Sequence, residues 1–179
     1  MLYTRKGDSG TSGLFGTKER FSKDSRIYET LGTLDELNSL LGMCRAKAAG
    51  AEDRSDVAME IVRVQEALFI AQAELAGAAK AITQDHVDAL EATIDRIEHV
   101  IENPHAFVIP GATELSALLD YTRAVCRRAE RTAVGVLRER PLPSASGAYL
   151  NRLSSLLYVL ARYTAKQEGR AELSPHYSI

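Results

Sequence analysis

Two stretches of this 179-residue chain carry residue types and spacings suited to holding a polyphosphate. The first is Tyr3-Thr4-Arg5-Lys6-Gly7-Asp8-Ser9-Gly10-Thr11-Ser12-Gly13-Leu14-Phe15-Gly16, with a glycine at every third position beside hydroxyls and cations. The second is Arg123-Ala124-Val125-Cys126-Arg127-Arg128-Ala129-Glu130-Arg131, which sets Arg123, Arg127 and Glu130 on one helical stripe. Successive N–H groups of a glycine-rich turn can wrap an anion, and guanidinium forks grip phosphate oxygens. Thr11 and Ser12 add hydroxyl donors, and Arg5, Lys6 and Lys23 add charge. No Gly-Lys-[Ser/Thr] follows, so this is not a P-loop, and no strand precedes it, so it is not a dinucleotide fingerprint. From composition alone, the first stretch reads first as a disordered N-terminal tail and the second as a solvated charge run. The dominance of arginine over lysine suits bidentate contacts.

Other polar residues are harder to place. Asn151, Ser155, Tyr158 and Arg162 follow each other at i, i+4, i+7 and i+11, a polar stripe or the edge of a core. Asp35 and Asn38 interrupt an apolar helix; a carboxylate there calls for a cation such as Arg123, or else faces solvent. The only Glu-x-x-His, Glu102 to His105, is broken by Pro104, and a ferritin-like di-iron site needs two such motifs on intact helices. We therefore expect no metal held by a protein motif. His86, His99 and His176 stand alone, and Cys44 and Cys126 read as buried free thiols. No Ser–His or Cys–His nucleophile pair is evident.

The elements that must position these residues follow from hydrophobic period. Stripes run from near Ser25 to about Ala49, then through Val57, Ile61, Val64, Leu68 and Leu75, then from Val87 to Ile101, where Asn103-Pro104 stops the helix. A fourth helix is predicted from near Thr113 to about Arg140, and a last one carries Leu150, Leu153, Leu157 and Leu160 and frays by Gly169. No β-type alternation is visible. The expected fold is all-α: an antiparallel five-helix bundle of ferritin-like up-and-down type, one domain over 1–179, with a glycine-rich arm at 1–25 and the bundle at 26–168. Hydrophobic residues make up 45% of the chain, enough for a core, and the net charge of -2 argues against a broadly basic nucleic-acid face. No apolar run approaches a membrane span, and no signal-peptide core is seen, so a cytoplasmic protein without nucleic-acid or membrane partners is expected.

Taken together and in order, the motifs resemble the PduO-type ATP:cob(I)alamin adenosyltransferases. The likeness lies in Tyr3 to Thr11, Lys23, Gly32-Thr33-Leu34-Asp35-Glu36-Leu37-Asn38, Phe107-Val108-Ile109-Pro110-Gly111, Arg123 to Arg131, and Tyr149-Leu150-Asn151-Arg152-Leu153-Ser154. The resemblance implies a homotrimer with ATP bound between neighbouring subunits under the N-terminal arm. It implies that Thr4, Arg5, Lys6, Gly7, Thr11, Ser12, Gly13 and Lys23 cradle the triphosphate with Mg²⁺. Arg127, Arg128, Glu130, Arg131 and Asn151 would hold phosphate, ribose or base from the helical side. Asp35 and Arg123 would pair at the cobalamin side, and Phe107 would face the corrin.

The implied reaction moves the 5′-deoxyadenosyl group of ATP to the cobalt of cob(I)alamin, giving adenosylcobalamin and triphosphate. Catalytic roles fall to Arg127, Asp35, Arg123 and Phe107. A reductase or a cobalamin-dependent acceptor enzyme is an implied partner. The chain departs from the family pattern at Ala112, at Ser155 for a common aspartate, at Thr164-Ala165 for a usual asparagine, and at Asp120 for a frequent histidine. A non-catalytic module that binds ATP or adenosylcobalamin for sensing or delivery is the alternative reading, and a purely structural oligomer a third.

Overall fold

Apolar residues recurring every three or four positions wind into five helices: α1 (Arg26–Ala49), α2 (Ser55–Leu75), α3 (Gln84–Glu98), α4 (Glu114–Glu139) and α5 (Ser146–Gln167). They are seen in a computed structural model that describes residues 3–50, 54–101, 106–141 and 145–177. The helices form the expected all-α bundle. α4 lies between α1 and α5, α1 also packs on α2, and α5 packs on α3. Leu34, Leu37 and Leu41 of α1 meet Ile61 and Leu68 of α2, Leu115 and Leu119 of α4, and Leu153 and Leu157 of α5 in one fully buried cluster. Each such side chain contributes roughly 1.5–3 kcal/mol by leaving water.

Capping fixes where α4 begins. Thr113 Oγ1 accepts from the Ser116 N–H at 3.2 Å while Ser116 Oγ accepts from the Thr113 N–H at 2.9 Å, so two orphan donors are satisfied reciprocally. α5 does not fray at Gly169 as expected. The Gly169 N–H donates to Lys166 O at 2.9 Å and the Arg170 N–H to Ala165 O at 3.0 Å, with Gly169 at φ 63, a Schellman stop. That stop turns the chain back along the bundle, where the Ile109 N–H donates to Leu173 O at 2.7 Å and ties the 106–111 connector to the C-terminal segment. α3 ends at Glu98, before the predicted stop. The Glu102–His105 segment, with its Asn103-Pro104 pair, and Leu142-Pro143-Ser144 lie outside the described residues.

The expectation of no strand needs one correction. Within the arm, β1 (Thr11–Gly13) pairs antiparallel with β2 (Arg20–Ser22), in the register Thr11↔Ser22, Ser12↔Phe21 and Gly13↔Arg20. Strands of three residues are too short to show alternation, so cross-strand bonds rather than pattern define them. Leu14 is buried in the bundle core and Phe21 packs against it, which anchors the hairpin. The Arg140 guanidinium lies 5.8 Å from the Phe21 ring, and Arg26 pairs with Glu139 at 2.8 Å, so the hairpin's root sits at the C-terminal end of α4. Among the described residues no helix is long and apolar enough to cross a membrane.

Candidate active site

A cavity of about 850 Å³ opens between the connector and the exposed faces of α4 and α5. Its walls include Phe107 and Pro110 of the connector, Arg123 and Arg127 of α4, and Ser155 and Tyr158 of α5. Arg123 and Arg127 reach one wall because residues four apart lie on one side of a helix. Phe107 is 80% exposed. A large aromatic ring left in water at a cavity mouth offers an apolar surface to whatever enters. The predicted residues Phe107, Arg123 and Arg127 are thus brought together.

Beneath this wall runs a buried charge network that sequence reading passed over. Arg162, the last residue of the polar stripe of α5, is only 4% exposed. Its Nη2 donates to Asp120 Oδ2 of α4 at 2.5 Å, and its Nε donates to Glu172 of the C-terminal segment. Burial works against its charge, but the bonds and fields of Asp120 and Glu172 outweigh burial and raise its pKa, so Arg162 stays cationic. The Arg162 and Arg123 guanidinium carbons lie 4.7 and 5.5 Å from the Tyr158 ring centroid, which places two cations against one aromatic surface. The available signal was a charge directly after an apolar residue on each helix, Asp120 after Leu119 and Arg162 after Ala161. The polar stripe of α5 is therefore not a simple core edge: Ser155 and Tyr158 line the cavity, and Arg162 closes its floor.

Higher on α4 the predicted residues divide. Asn151 Nδ2 donates to Glu130 Oε1 at 2.9 Å, and Arg152 Nη1 donates to Asn151 Oδ1 at 3.1 Å, which fixes the amide's orientation. Arg152 is itself held by Glu91 of α3 at 2.6 Å. Glu130 is thus partnered by Asn151, not by Arg127. Arg127 and Arg131 are exposed, and neither has an ion-pair partner among the described residues. Arg128, about 100° round the helix from Arg127, turns to α1 and pairs with Glu36. Asp35 is exposed, and no ion pair joins it to Arg123 within the chain.

The arm forms a separate cluster. Arg5 has φ 59, an unusual value for a residue with a side chain, and its guanidinium lies 5.4 Å from the Tyr3 ring. A Cβ added to Gly7 would stand 3.0 Å from Lys23 Nζ, so the ammonium lies over that glycine and Gly7 leaves it room. Thr4, Arg5, Lys6 and Gly7 lie in the turn before β1, Thr11, Ser12 and Gly13 form β1, and Lys23 follows β2 and reaches over Gly7. Among the described residues no hydrogen bond or ion pair links Thr4 to Gly13, or Lys23, with Arg127, Glu130, Arg131 or Asn151.

Both cysteines are free and buried. Burial is the main force pushing Cys126 up to about 12, and it raises Cys44 as well, so both thiols are protonated near neutral pH and poor nucleophiles. Among the described residues no three His, Cys, Asp or Glu side chains group as metal ligands do.

Comparison with known proteins adds to this geometry. A family model described as cobalamin adenosyltransferase matches residues 2–164. The corrinoid adenosyltransferase PduO of Salmonella typhimurium is 39% identical over 168 residues, covering 90% of this chain and 48% of that protein. The corrinoid adenosyltransferase of Bacillus subtilis is 34% identical over 172 residues, covering 94% and 88%. The chain spans about half the length of the first relative and most of the second. A variant of the PduO-type ATP:corrinoid adenosyltransferase from Lactobacillus reuteri, complexed with cobalamin and ATP, superposes with a TM-score of 0.92 at 27% identity, covering 100% of this chain and 98% of that one.

Proposed function

The chain belongs to the cobalamin adenosyltransferase family, and we propose that its cavity and its N-terminal arm are the corrinoid and nucleotide ends of one site. The enzyme transfers the 5′-deoxyadenosyl group of ATP to the cobalt of cob(I)alamin. A cobalt–carbon bond forms at the ribose 5′ carbon, the carbon–oxygen bond to triphosphate breaks, and triphosphate leaves with the electron pair. The observation that carries the site assignment is the meeting of Phe107, Arg123 and Arg127 on one cavity of about 850 Å³.

The chemistry asks little covalent work of the chain. The substrate's cobalt is the nucleophile, which agrees with two protonated, buried thiols. The protein's part is orientation and neutralisation of the leaving charge. Arg127, exposed and facing the cavity, meets that charge from the helical side. Glu130 and the oriented Asn151 amide offer hydrogen-bond partners to ribose or base. Phe107 and the Tyr158 ring supply apolar surface that keeps water from the corrin face. Arg128, held by Glu36, supports the α1–α4 contact rather than reaching the nucleotide directly.

Several finer features belong to the same proposal. The arm and the helical wall are completed by neighbouring copies in a homotrimer, where Asp35 of one copy can meet Arg123 of another. Mg²⁺ suits the arm, because Ser9 Oγ and Thr11 Oγ1 lie 3.4 Å apart on the turn that carries Asp8, and it prefers hard oxygens beside phosphate. Bound there it would neutralise phosphate charge. We place the enzyme in the cytoplasm, as one domain, served by a reductase or delivering to a cobalamin-dependent acceptor enzyme.

An anaerobic assay with ATP, Mg²⁺ and chemically reduced cob(I)alamin tests the activity. Adenosylcobalamin formed one-for-one with triphosphate is expected. ATP binding without product would favour a sensing or delivery module.

A further inference from the structure

Arg20, at the start of β2, makes three bonds that hold the arm's turn shut. Its Nη2 donates to Lys6 O at 2.6 Å and to Thr11 O at 2.7 Å, and its Nε donates to Thr11 Oγ1 at 2.9 Å. The rest of the turn is closed by its own backbone. The Asp8 N–H donates to Arg5 O at 3.3 Å, the Gly10 N–H to Gly7 O at 3.2 Å and the Lys23 N–H to Gly10 O at 2.9 Å. Left-handed residues at both ends, Arg5 at φ 59 and Gly10 at φ 77, make the turn possible.

These bonds have a directional consequence. In a trans peptide the C=O and the following N–H point opposite ways. Holding Lys6 O on Arg20 therefore aims the Gly7 N–H away from Arg20. The Lys23 ammonium lies over Gly7. The second consequence concerns Thr11. Because its Oγ1 accepts from Arg20, its own hydroxyl hydrogen can turn to Ser9 Oγ, 3.4 Å away, or to an anion in the turn. A carbonyl oxygen facing an anion repels it, whereas an N–H and a hydroxyl hydrogen attract it.

We propose that Arg20 is a positioning residue for the triphosphate: it turns two carbonyls away from the anion and leaves the Gly7 N–H and the Thr11 hydroxyl as donors. This rests on the reading that the arm holds ATP. Arg20 acts through the turn, so its planar fork matters and its charge alone does not suffice.

The test uses the full chain and its Arg20→Ala, Arg20→Lys and Lys23→Ala variants, with ATP and inorganic tripolyphosphate as probes. Arg20→Ala should weaken both probes about tenfold, the scale of losing a charge-assisted bond set. KM for ATP should rise by the same factor, while kcat at saturating ATP, KM for corrinoid and the melting temperature stay put. Arg20→Lys should resemble Arg20→Ala. Wild-type affinity in Arg20→Lys would overturn the fork argument. Wild-type affinity in Arg20→Ala alongside weakened binding in Lys23→Ala would overturn the role of Arg20 while leaving the arm as the ATP site. If all three variants bind as wild type, the arm reading fails and this proposal with it.

Discussion

The arm and the α4–α5 wall solve the problem of holding charge in opposite ways. The arm keeps its cations exposed and shapes its turn with backbone bonds, left-handed residues and one exposed guanidinium. The wall sinks Arg162 and Asp120 to side-chain exposures of 3% and 8% and ties them together at 2.5 Å. Screened, exposed charges cost little folding energy and remain available to a ligand. A buried pair is committed to its partner and is expensive to break. The wall's network therefore sets the shape of the cavity, and the charges that the proposed function gives to substrate, Arg127 and those of the arm, are exposed.

That contrast can be pressed with variants, beginning with the greatest expected loss. Arg127→Ala should leave the fold intact and lower kcat by about 10³, the scale of removing a preorganised charge partner. Steady-state rates together with an unchanged melting temperature would check it, and wild-type turnover would remove Arg127 from the site. Arg162→Met should do the reverse. It leaves Asp120 and Glu172 without their cation, so urea unfolding should show a loss of about 3 kcal/mol. The same substitution combined with Asp120→Leu should recover part of that loss, because no orphan carboxylate then remains on α4.

Lys23→Ala belongs to the arm. It should weaken ATP about tenfold with no change in unfolding free energy, since an exposed cation adds little to the fold. Phe107→Ala should leave ATP affinity alone and lower turnover when cob(II)alamin is supplied with a reductant, because the apolar surface at the corrin face is lost. Undiminished turnover on that substrate would release Phe107 from its role.

The smallest effect is in pH. The folded Cys126 thiol titrates near 12, against an ordinary value of 9.0. Below pH 9 both folded and unfolded states keep the proton, so the contribution is fully present. Between 9 and about 12 the unfolded state releases its proton first, and stability falls with rising pH. Thermal melts should drop across that window, and Cys126→Ala should flatten the drop.

How much of this was legible depended on the range of the interactions. The helices could be read because a period of 3.6 repeats over long spans, and α1 and α4 begin within a residue of the predicted starts near Ser25 and Thr113. The hairpin could not, since Thr-Ser-Gly and Arg-Phe-Ser carry no alternation of their own. Helical spacing put Arg123 and Arg127 on one side of α4, and Phe107, reached only through the family resemblance, lines the same cavity. The Arg162 network was missed because Asp120 lies 42 residues away and Glu172 lies past a helix stop. In sequence Arg162 shows only as the end of a polar stripe, and Asp120 only as a departure from the family pattern. Glu130 was read only as part of the Arg123–Arg127 stripe of one helix, whereas its hydrogen-bond partner is Asn151 on the next.

On the proposed function, the arm and the wall are two halves of one site, brought together from neighbouring copies. Mixing Lys23→Ala with Arg127→Ala, each impaired alone, and letting them assemble together tests it directly. Turnover should rise above the sum of the separate variants, because some sites then join a wild-type arm to a wild-type wall. Turnover equal to that sum, in oligomers proven to be mixed, would contradict it.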